Sequence, residues 1–403
     1  MDKHKPTGVR TKAIHAGEKP DPITRASAPN LVMSTTYTAD AGASFSVEGL
    51  ESDSPYYYTR WGNPTVRQLE QKLIELEGAE ACVAFASGMA AVTSLFFYHL
   101  GSGDHLVISD ISYAATAELT NDILPRMGIR ITKVNMSDLD EVREAVTSQT
   151  KLVYAETPCN PILRLTDIQA VADIAHRAGA KLAVDSTFAT PIATKPLTMG
   201  ADYVVHSLTK YLCGHGDAIG GALLGPAKDI EALRKKVAIR TGGILSPFNA
   251  WLIMRGVATL PLRMEAHEAG ALRVARFLEG NPRVKKVVYP GLPSHLQYDL
   301  ARKQMQNFSG MLTFQVENGL DAAGILVERL EIFHYAVSLG HHRSLIFYLP
   351  TQALFDSSFK ISAGQQESFR EFAGDGIFRL SIGLEDPEDL CRDLDRGLAG
   401  LTI

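Results

Sequence analysis

From Asn63 onward, short apolar runs alternate with segments of helical hydrophobic periodicity. Asn63-Pro64-Thr65 is typical of a helix start, because proline fits the first turn, and Gly78 marks the end of that helix. Apolar runs without polar alternation are typical of strands that are covered on both faces. The predicted strands are residues 81–85, 105–108, 152–154, 182–184 and 203–205.

After about residue 256 the pattern changes. The elements predicted there are a helix, a strand, a second helix, and a final strand and helix, over 260–278, 311–316, 322–330 and 378–398. The earlier alternation predicts an α/β fold with a mostly parallel central sheet and right-handed crossovers. The predicted domains are an irregular N-terminal arm, an α/β domain and a smaller C-terminal α+β domain, over 1–60, 61–256 and 257–403.

Composition narrows the function classes. The 403 residues have a net charge of −5, so binding to nucleic acid or to an anionic membrane is not expected. No apolar run approaches the ~20 residues that span a bilayer. The polar start predicts no secretory leader, and four scattered cysteines favour a cytoplasmic location over a disulfide framework.

Ligands of an open parallel sheet bind beyond the carboxyl ends of its strands, so the residues that follow each strand are the candidates. Ser87-Gly88-Met89 follows the first strand at a helix N-terminus, where free backbone N–H groups suit a phosphate. Asp185 ends a later strand, and Lys210 follows the next one, before a glycine-rich stretch. Singly, each has an ordinary interpretation: a helix cap, a surface ion pair or a solvated lysine.

Together, these positions meet the requirements of pyridoxal phosphate. Its aldehyde needs a lysine, its ring nitrogen needs a carboxylate, and its phosphate needs hydroxyls and a helix N-terminus. A partly desolvated lysine loses its proton more easily and can form a Schiff base. Lys210, Asp185 and Ser87-Gly88-Met89 supply all three groups.

Three segments also carry a resemblance to known proteins: Tyr58-Thr59-Arg60 with Asn63-Pro64-Thr65, Phe85 to Ala91, and Ser207 to Tyr211 with Gly214-His215-Gly216. They resemble the Cys/Met-metabolism, or trans-sulfuration, family of fold-type-I pyridoxal-phosphate enzymes, and the resemblance runs over almost the whole chain. That family includes methionine γ-lyase, cystathionine γ-synthase, the cystathionine lyases and the O-acylhomoserine sulfhydrylases. The resemblance implies an aspartate-aminotransferase-like fold, a small amino-acid substrate and a homotetramer built from two active-site dimers.

The resemblance also implies roles for individual residues. Lys210 matches the lysine that joins the cofactor, Asp185 the partner of the ring nitrogen, and Tyr113 the tyrosine that stacks on the ring and protonates the leaving group. The matches to phosphate contacts within the subunit are Ser87, Gly88, Met89, Ser207 and Thr209. The matches to residues that reach the phosphate of a neighbouring subunit are Tyr58 and Arg60. The matches to the grip on the substrate α-carboxylate are Asn160, Ser338 and Arg379.

The implied reaction is γ-elimination or γ-replacement, as in methionine γ-lyase; the alternatives are cystathionine γ-synthase, O-acylhomoserine sulfhydrylase or cystathionine lyase activity. Ala115 replaces a cysteine usual in methionine γ-lyases, and residues 341–351 form a larger, more basic segment than in relatives. Methionine is therefore not expected to be the best substrate. Arg343 stands where cystathionine-specific relatives often have a glutamate, which predicts either a substrate contact that disfavours a cationic tail or a surface ion pair.

Two other classes are weakly indicated. Gly214-His215-Gly216 begins like a dinucleotide fingerprint, but the third glycine, Gly220, is one place too late, which leaves a nicotinamide-dependent oxidoreductase as a remote alternative. His341-His342 suggests a metal, but adjacent histidines do not share a helix face and no third ligand has metal spacing. No metal is therefore expected.

Overall fold

The larger sheet of the protein has seven strands. In the computed structural model, which describes residues 7–42, 46–47, 55–357, 359 and 362–401, they are β1 (Ala81–Phe85), β2 (His105–Ser109), β3 (Arg130–Val134), β4 (Thr150–Glu156), β5 (Lys181–Asp185), β6 (Tyr203–Ser207) and β7 (Gly221–Gly225). Their order across the sheet is β1-β7-β6-β5-β4-β2-β3. Strands β2 to β6 run parallel, and β7 lies antiparallel between β1 and β6. The predicted mostly parallel sheet is therefore confirmed.

The smaller sheet is formed by the C-terminal part of the chain. Its strands are β8 (Val284–Val288), β9 (Met311–Val316), β10 (His334–Tyr335), β11 (Leu345–Pro350) and β12 (Gly376–Ser381), in the order β10-β11-β12-β9-β8. Among the strand pairs that the structure describes in this sheet, β10–β11 is parallel and the others are antiparallel. Phe314 and Phe378 are buried and stack at 5.0 Å within the core beneath this sheet.

Helices cover both sheets. They are α1 (Val9–His15), α2 (Pro64–Glu77), α3 (Gly88–His99), α4 (Ala114–Glu118), α5 (Leu124–Arg126), α6 (Leu139–Ala145), α7 (Ile168–Arg177), α8 (Thr190–Ala193), α9 (Ala227–Leu233), α10 (Ile239–Thr241), α11 (Pro247–Ala258), α12 (Leu260–Glu279), α13 (Tyr298–Gln304), α14 (Gly319–Arg329), α15 (Thr351–Phe355), α16 (Ala363–Ala373) and α17 (Pro387–Leu398). Among the described residues, no helix is long and apolar enough to cross a membrane.

Helix α2 begins and ends with the capping residues that its sequence predicts. The Asn63 side chain accepts hydrogen bonds from the backbone N–H groups of Thr65 and Val66, at 2.9 and 3.3 Å, and so caps the helix. Gly78 ends it with a φ of +76°, a left-handed conformation that glycine adopts without a Cβ clash. The predicted start and end of this helix are therefore confirmed.

Several predicted boundaries shift by a few residues. Helix α14 begins three residues earlier than predicted, at Gly319, and the last helix ends at Leu398 as predicted. The predicted domain division stays a prediction. Of the predicted arm over 1–60, residues 1–6, 43–45 and 48–54 lie outside the described residues.

Close packing requires a glycine at the first position of β7, which is Gly221. A Cβ on Gly221 would lie 2.1 Å from the Ser87 carbonyl oxygen and 2.7 Å from the Gly88 nitrogen, both of them backbone atoms. Strand β7 therefore passes directly under the turn that joins β1 to α3, and a larger residue would displace that turn.

We expect Gly221→Ala to lower the free energy of unfolding by about 3 kcal/mol, because neither backbone group can move aside without breaking its own element. Gly324→Ala is the matched control, since Gly324 lies exposed within α14 and its Cβ would meet nothing within 4 Å. That change should be neutral or stabilising by up to about 1 kcal/mol. Urea unfolding of both variants measures the difference, and equal stabilities would contradict the close packing of β7.

Candidate active site

The Lys210 amine lies at the carboxyl edge of the larger sheet, where it meets side chains from the smaller sheet; this meeting place is called the cleft below. Lys210 follows β6, and its Nζ donates a hydrogen bond to Ser338 Oγ at 2.8 Å. Burial, with a further contribution from the charge of Arg379, lowers the pKa of Lys210 to about 8. Roughly a tenth of this amine is therefore uncharged at pH 7, far more than for a lysine with an ordinary pKa. The uncharged form is the one that a nucleophile or a base requires.

The Asp185 carboxylate lies on the neighbouring strand at the same edge. Asp185 ends β5, and it accepts hydrogen bonds from the Tyr154 hydroxyl at 3.2 Å and from the Thr187 backbone N–H at 3.0 Å. Burial raises the pKa of Asp185. The structure thus holds a desolvated carboxyl group on the strand next to the one that Lys210 follows.

Glu156, which the sequence analysis did not single out, joins two loops of the cleft. Its carboxylate accepts hydrogen bonds from the backbone N–H groups of Tyr113 at 2.7 Å and of Asn160 at 2.8 Å. Burial, followed by the nearby charge of Asp185, raises the pKa of Glu156 to about 8. Its position at the end of β4, at the edge that also carries Asp185, was the available signal.

Arg379 brings the smaller sheet to the same cleft. It lies on β12 and donates hydrogen bonds to Asn160 Oδ1 at 2.8 Å and to the Ser338 carbonyl oxygen at 3.2 Å. Burial lowers the pKa of Arg379, but a guanidinium keeps its proton at any physiological pH. Ser338 itself has a φ of +85°, a strained conformation for serine that contacts from both sheets hold in place.

The turn after β1 forms another wall. The Ser87 hydroxyl accepts from the Ala90 backbone N–H at 3.1 Å and caps α3, whose first two residues are Gly88 and Met89. A Cβ on Gly88 would lie 3.0 Å from the Ser207 Cβ, so the start of α3 and the end of β6 are in close contact.

Thr209 is fixed by the backbone. Its hydroxyl accepts from the Gly220 N–H at 3.1 Å and lies 3.2 Å from the Gly220 carbonyl oxygen, to which it can donate. This pair ties the segment that carries Lys210 to the start of β7. The phosphate matches from the sequence, Ser87, Gly88, Met89, Ser207 and Thr209, thus lie on two adjoining segments beside the β1–α3 turn.

Four predicted site residues have different surroundings. Arg60 donates to the Ile239 carbonyl oxygen at 2.8 Å and lies over the Tyr58 ring at 5.4 Å, so these two form their own cluster. Arg343 is exposed and forms no ion pair with any residue that the structure describes. Tyr113 is 48% exposed at the start of α4, with its backbone held by Glu156.

His341 was considered in the sequence only as half of a metal-binding pair. The structure instead places its Nε2 3.3 Å from Ser338 Oγ, one hydrogen bond away from the Lys210 amine. Among the described residues, no group of three or more histidines, cysteines and carboxylates is arranged to hold a metal ion.

Comparison with known proteins gives a consistent result along the whole chain. Residues 10–399 match the family described as Cys/Met metabolism PLP-dependent enzyme. Canavanine gamma-lyase of Pseudomonas canavaninivorans is 41% identical over 393 residues, which cover 96% of this chain and 95% of that protein. L-methionine gamma-lyase of Fusobacterium nucleatum subsp. nucleatum is 40% identical over 403 residues, with 98% of each chain covered. The crystal structure of metB from Corynebacterium glutamicum superposes with a TM-score of 0.89 at 37% identity, over 98% of this chain and 99% of that one.

Proposed function

The chain belongs to the Cys/Met metabolism family of pyridoxal-phosphate-dependent enzymes, and from this premise we propose that Lys210 is its cofactor-binding and proton-transferring residue. The protein is a lyase or γ-substitution transferase of amino-acid metabolism, and the predicted fold-type-I architecture and cofactor are confirmed. The observation that carries the proposal is the Lys210 amine, held by Ser338 in a buried cleft with its pKa lowered to about 8.

The residues of the cleft fit pyridoxal phosphate. The β1–α3 turn packs closely against Ser207 and Gly221. The first backbone N–H groups of α3 have no partner within the helix, which suits them to a phosphate. Ser207 and Thr209 add hydroxyls beside that turn. Asp185 offers a buried carboxyl group for the ring nitrogen, and Lys210 offers the amine.

Pyridoxal phosphate, when bound, supplies an aldehyde that joins amines and a ring that withdraws electrons from the neighbouring carbon atoms. Asp185 holds the proton of the ring nitrogen. Lys210, once its amine is free, takes the proton from the substrate Cα, for which a pKa near neutrality is suited. Tyr113 donates a proton to a leaving group that needs one. The positions of Asp185 and Lys210 at the ends of neighbouring strands support the first two roles, whereas the role of Tyr113 rests on its match to the family.

The substrate α-carboxylate has a matching partner in Arg379. Its guanidinium is fixed by Asn160 Oδ1 and by the Ser338 carbonyl oxygen, and it retains further N–H donors for a carboxylate. Because Glu156 holds the Asn160 backbone, the arginine is oriented before the substrate arrives. A fixed donor set of this kind places the Cα proton within reach of one base.

We infer that the preferred substrate carries an oxygen-linked substituent at Cγ. Arg343 is exposed without a carboxylate partner among the described residues, so its charge is available to oppose a cationic tail. Canavanine is a suitable test compound, because a relative 41% identical to this chain is named for it and its oxygen-linked guanidine is a much weaker base than that of arginine. O-acylhomoserines belong to the same oxygen-linked class, and the alternatives are cystathionine and methionine, whose substituents are linked through sulfur.

The function is tested with canavanine, methionine, cystathionine, and O-succinylhomoserine with and without cysteine, by assay of the released group and of 2-oxo acid. We expect an oxygen-linked compound to give the highest kcat/KM and methionine to be clearly poorer. Lys210→Ala should lower turnover of the best substrate by on the order of 10³-fold or more, because the base is lost. Efficient methanethiol release would refute the substrate inference, and retained turnover in Lys210→Ala would refute the role of Lys210.

We also propose a homotetramer whose paired subunits share sites, because Tyr58 and Arg60 match residues that serve a neighbour and form a cluster apart from Lys210. Arg60→Ala should then weaken cofactor retention. Mixing it with Lys210→Ala under subunit exchange should restore activity, since some hybrid sites have both residues intact. Light scattering gives the assembly size, and a mixture no more active than its parents would argue against shared sites.

The proposed role of Arg343 has its own test. In Arg343→Glu, kcat/KM should fall several-fold for an anionic tail, such as that of O-succinylhomoserine, and rise several-fold for cystathionine, whose tail has an ammonium group. Arg177→Glu is the matched charge reversal, because Arg177 is exposed at the end of α7, just before β5 begins at the opposite edge of the sheet. Parallel changes for both tails, or changes equal to the control, would exclude a contact with substrate.

A cytoplasmic location is proposed from the cysteines. Cys82, Cys159, Cys213 and Cys391 are all free and buried, which is typical of proteins that stay in a reducing compartment.

A further inference from the structure

A chain of hydrogen-bonding groups leads from the Lys210 amine into the loop that follows Ser338. Lys210 Nζ donates to Ser338 Oγ at 2.8 Å, and the same oxygen lies 3.3 Å from His341 Nε2. His341 is therefore separated from the proposed base by a single hydroxyl group.

The imidazole is held in place by packing against a glycine. A Cβ on Gly216, which has a φ of +71°, would lie 2.8 Å from His341 Cε1 and 2.9 Å from its Nδ1, so the ring occupies the space that glycine leaves. The loop is anchored on both sides of the ring. The His342 N–H donates to the Gly214 carbonyl oxygen at 2.9 Å, and the Gly340 N–H donates to Ser381 Oγ at 2.8 Å.

The hydroxyl of Ser338 has one proton, which fixes the donor and the acceptor in each of these two hydrogen bonds. Because the lysine amine donates to the serine oxygen, the serine proton is left to donate to His341 Nε2. That bond requires a neutral imidazole with its proton on Nδ1, a tautomer inferred from these partners. A protonated imidazole cannot accept it.

The surroundings keep His341 neutral. Burial is the largest cause that lowers its pKa from 6.5, and the charges of Lys210, His342 and Arg343 act in the same direction. Asp217 is the group that opposes them. At pH 7 the imidazole is therefore an acceptor, and it gains a proton only in more acidic solution.

We propose that His341 is a positioning residue: it accepts a hydrogen bond from the Ser338 hydroxyl and so orients the hydroxyl oxygen toward the Lys210 amine. The amine is then held where it can take the substrate proton. The importance of that position rests on the proposed function of Lys210, whereas the hydrogen-bonded chain itself does not. Without the acceptor, the serine hydroxyl is free to rotate and to donate its proton to the neutral amine.

Two variants separate this role from simple packing. His341→Phe keeps a ring against Gly216 but has no acceptor, whereas His341→Gln lacks the ring but places an amide oxygen near the position of Nε2. His334→Gln is the control, because His334 is exposed on β10. Urea unfolding checks that all the variants fold before they are compared.

The first measurement uses the cofactor-free enzyme. Competitive acetylation of Lys210 across pH, read by mass spectrometry and compared with the denatured protein, should give a midpoint near 8 in the wild type. In His341→Phe the midpoint should fall by about half a pKa unit, because the rotated hydroxyl stabilises the neutral amine. His341→Gln and His334→Gln should keep the wild-type midpoint.

The second measurement uses the loaded enzyme with its best substrate. In the wild type, kcat should fall on the acidic side as His341 gains a proton, and KM should change little. His341→Gln should lose this acidic limb, and His341→Phe should have a lowered kcat at every pH. If His341→Phe resembles the wild type, or if His341→Gln behaves like His341→Phe, the ring serves packing and the proposal is wrong. A shifted midpoint in an enzyme that acts on none of the substrates would sustain the inference and overturn the proposed function.

Discussion

The cleft depends on one electrostatic constraint, which is that two cationic side chains share a buried space. Arg379 cannot lose its proton, and its charge is fixed by Asn160 and the Ser338 carbonyl oxygen. The pKa of Lys210 is therefore the one that changes, because burial and the charge of Arg379 lower it to about 8. The arginine that we propose as the partner of a substrate carboxylate thus also lowers the pKa of the lysine, and binding an anion there would relieve part of the repulsion.

This constraint requires both sheets, which explains the shape of the fold around the site. Asp185 and Lys210 follow neighbouring parallel strands, whereas Arg379 comes from β12 of the smaller sheet. Glu156 adds the internal link, since one carboxylate receives the backbone N–H groups of Tyr113 and Asn160. The loop that carries the proposed leaving-group acid and the loop that orients the carboxylate partner therefore cannot move independently.

The sequence predicted those parts of the fold and site that depend on local pattern. The α2 caps, strand β1 and the residues at strand ends, Asp185 and Lys210 among them, follow from short-range signals that tertiary contacts do not alter. Strand β7 was not predicted, because it has a glycine at each end and glycine is typical of loops. The need for Gly221 becomes clear only from its packing against the turn between β1 and α3. Glu156 was missed for a related reason, since its two backbone partners belong to different loops.

In the loop after Ser338, the charge pattern of the sequence drew attention to a different residue from the one that contacts the site. Arg343 attracted attention in the sequence because its sign differs from that of relatives, yet the structure leaves its side chain exposed. His341, two residues earlier, is turned inward, because Gly216 leaves space for its ring and the backbone bond from His342 to Gly214 fixes the direction of the loop. The two side chains therefore act at different distances from the lysine. The role proposed for Arg343 therefore depends on a screened charge, whereas the role proposed for His341 depends on a directional hydrogen bond.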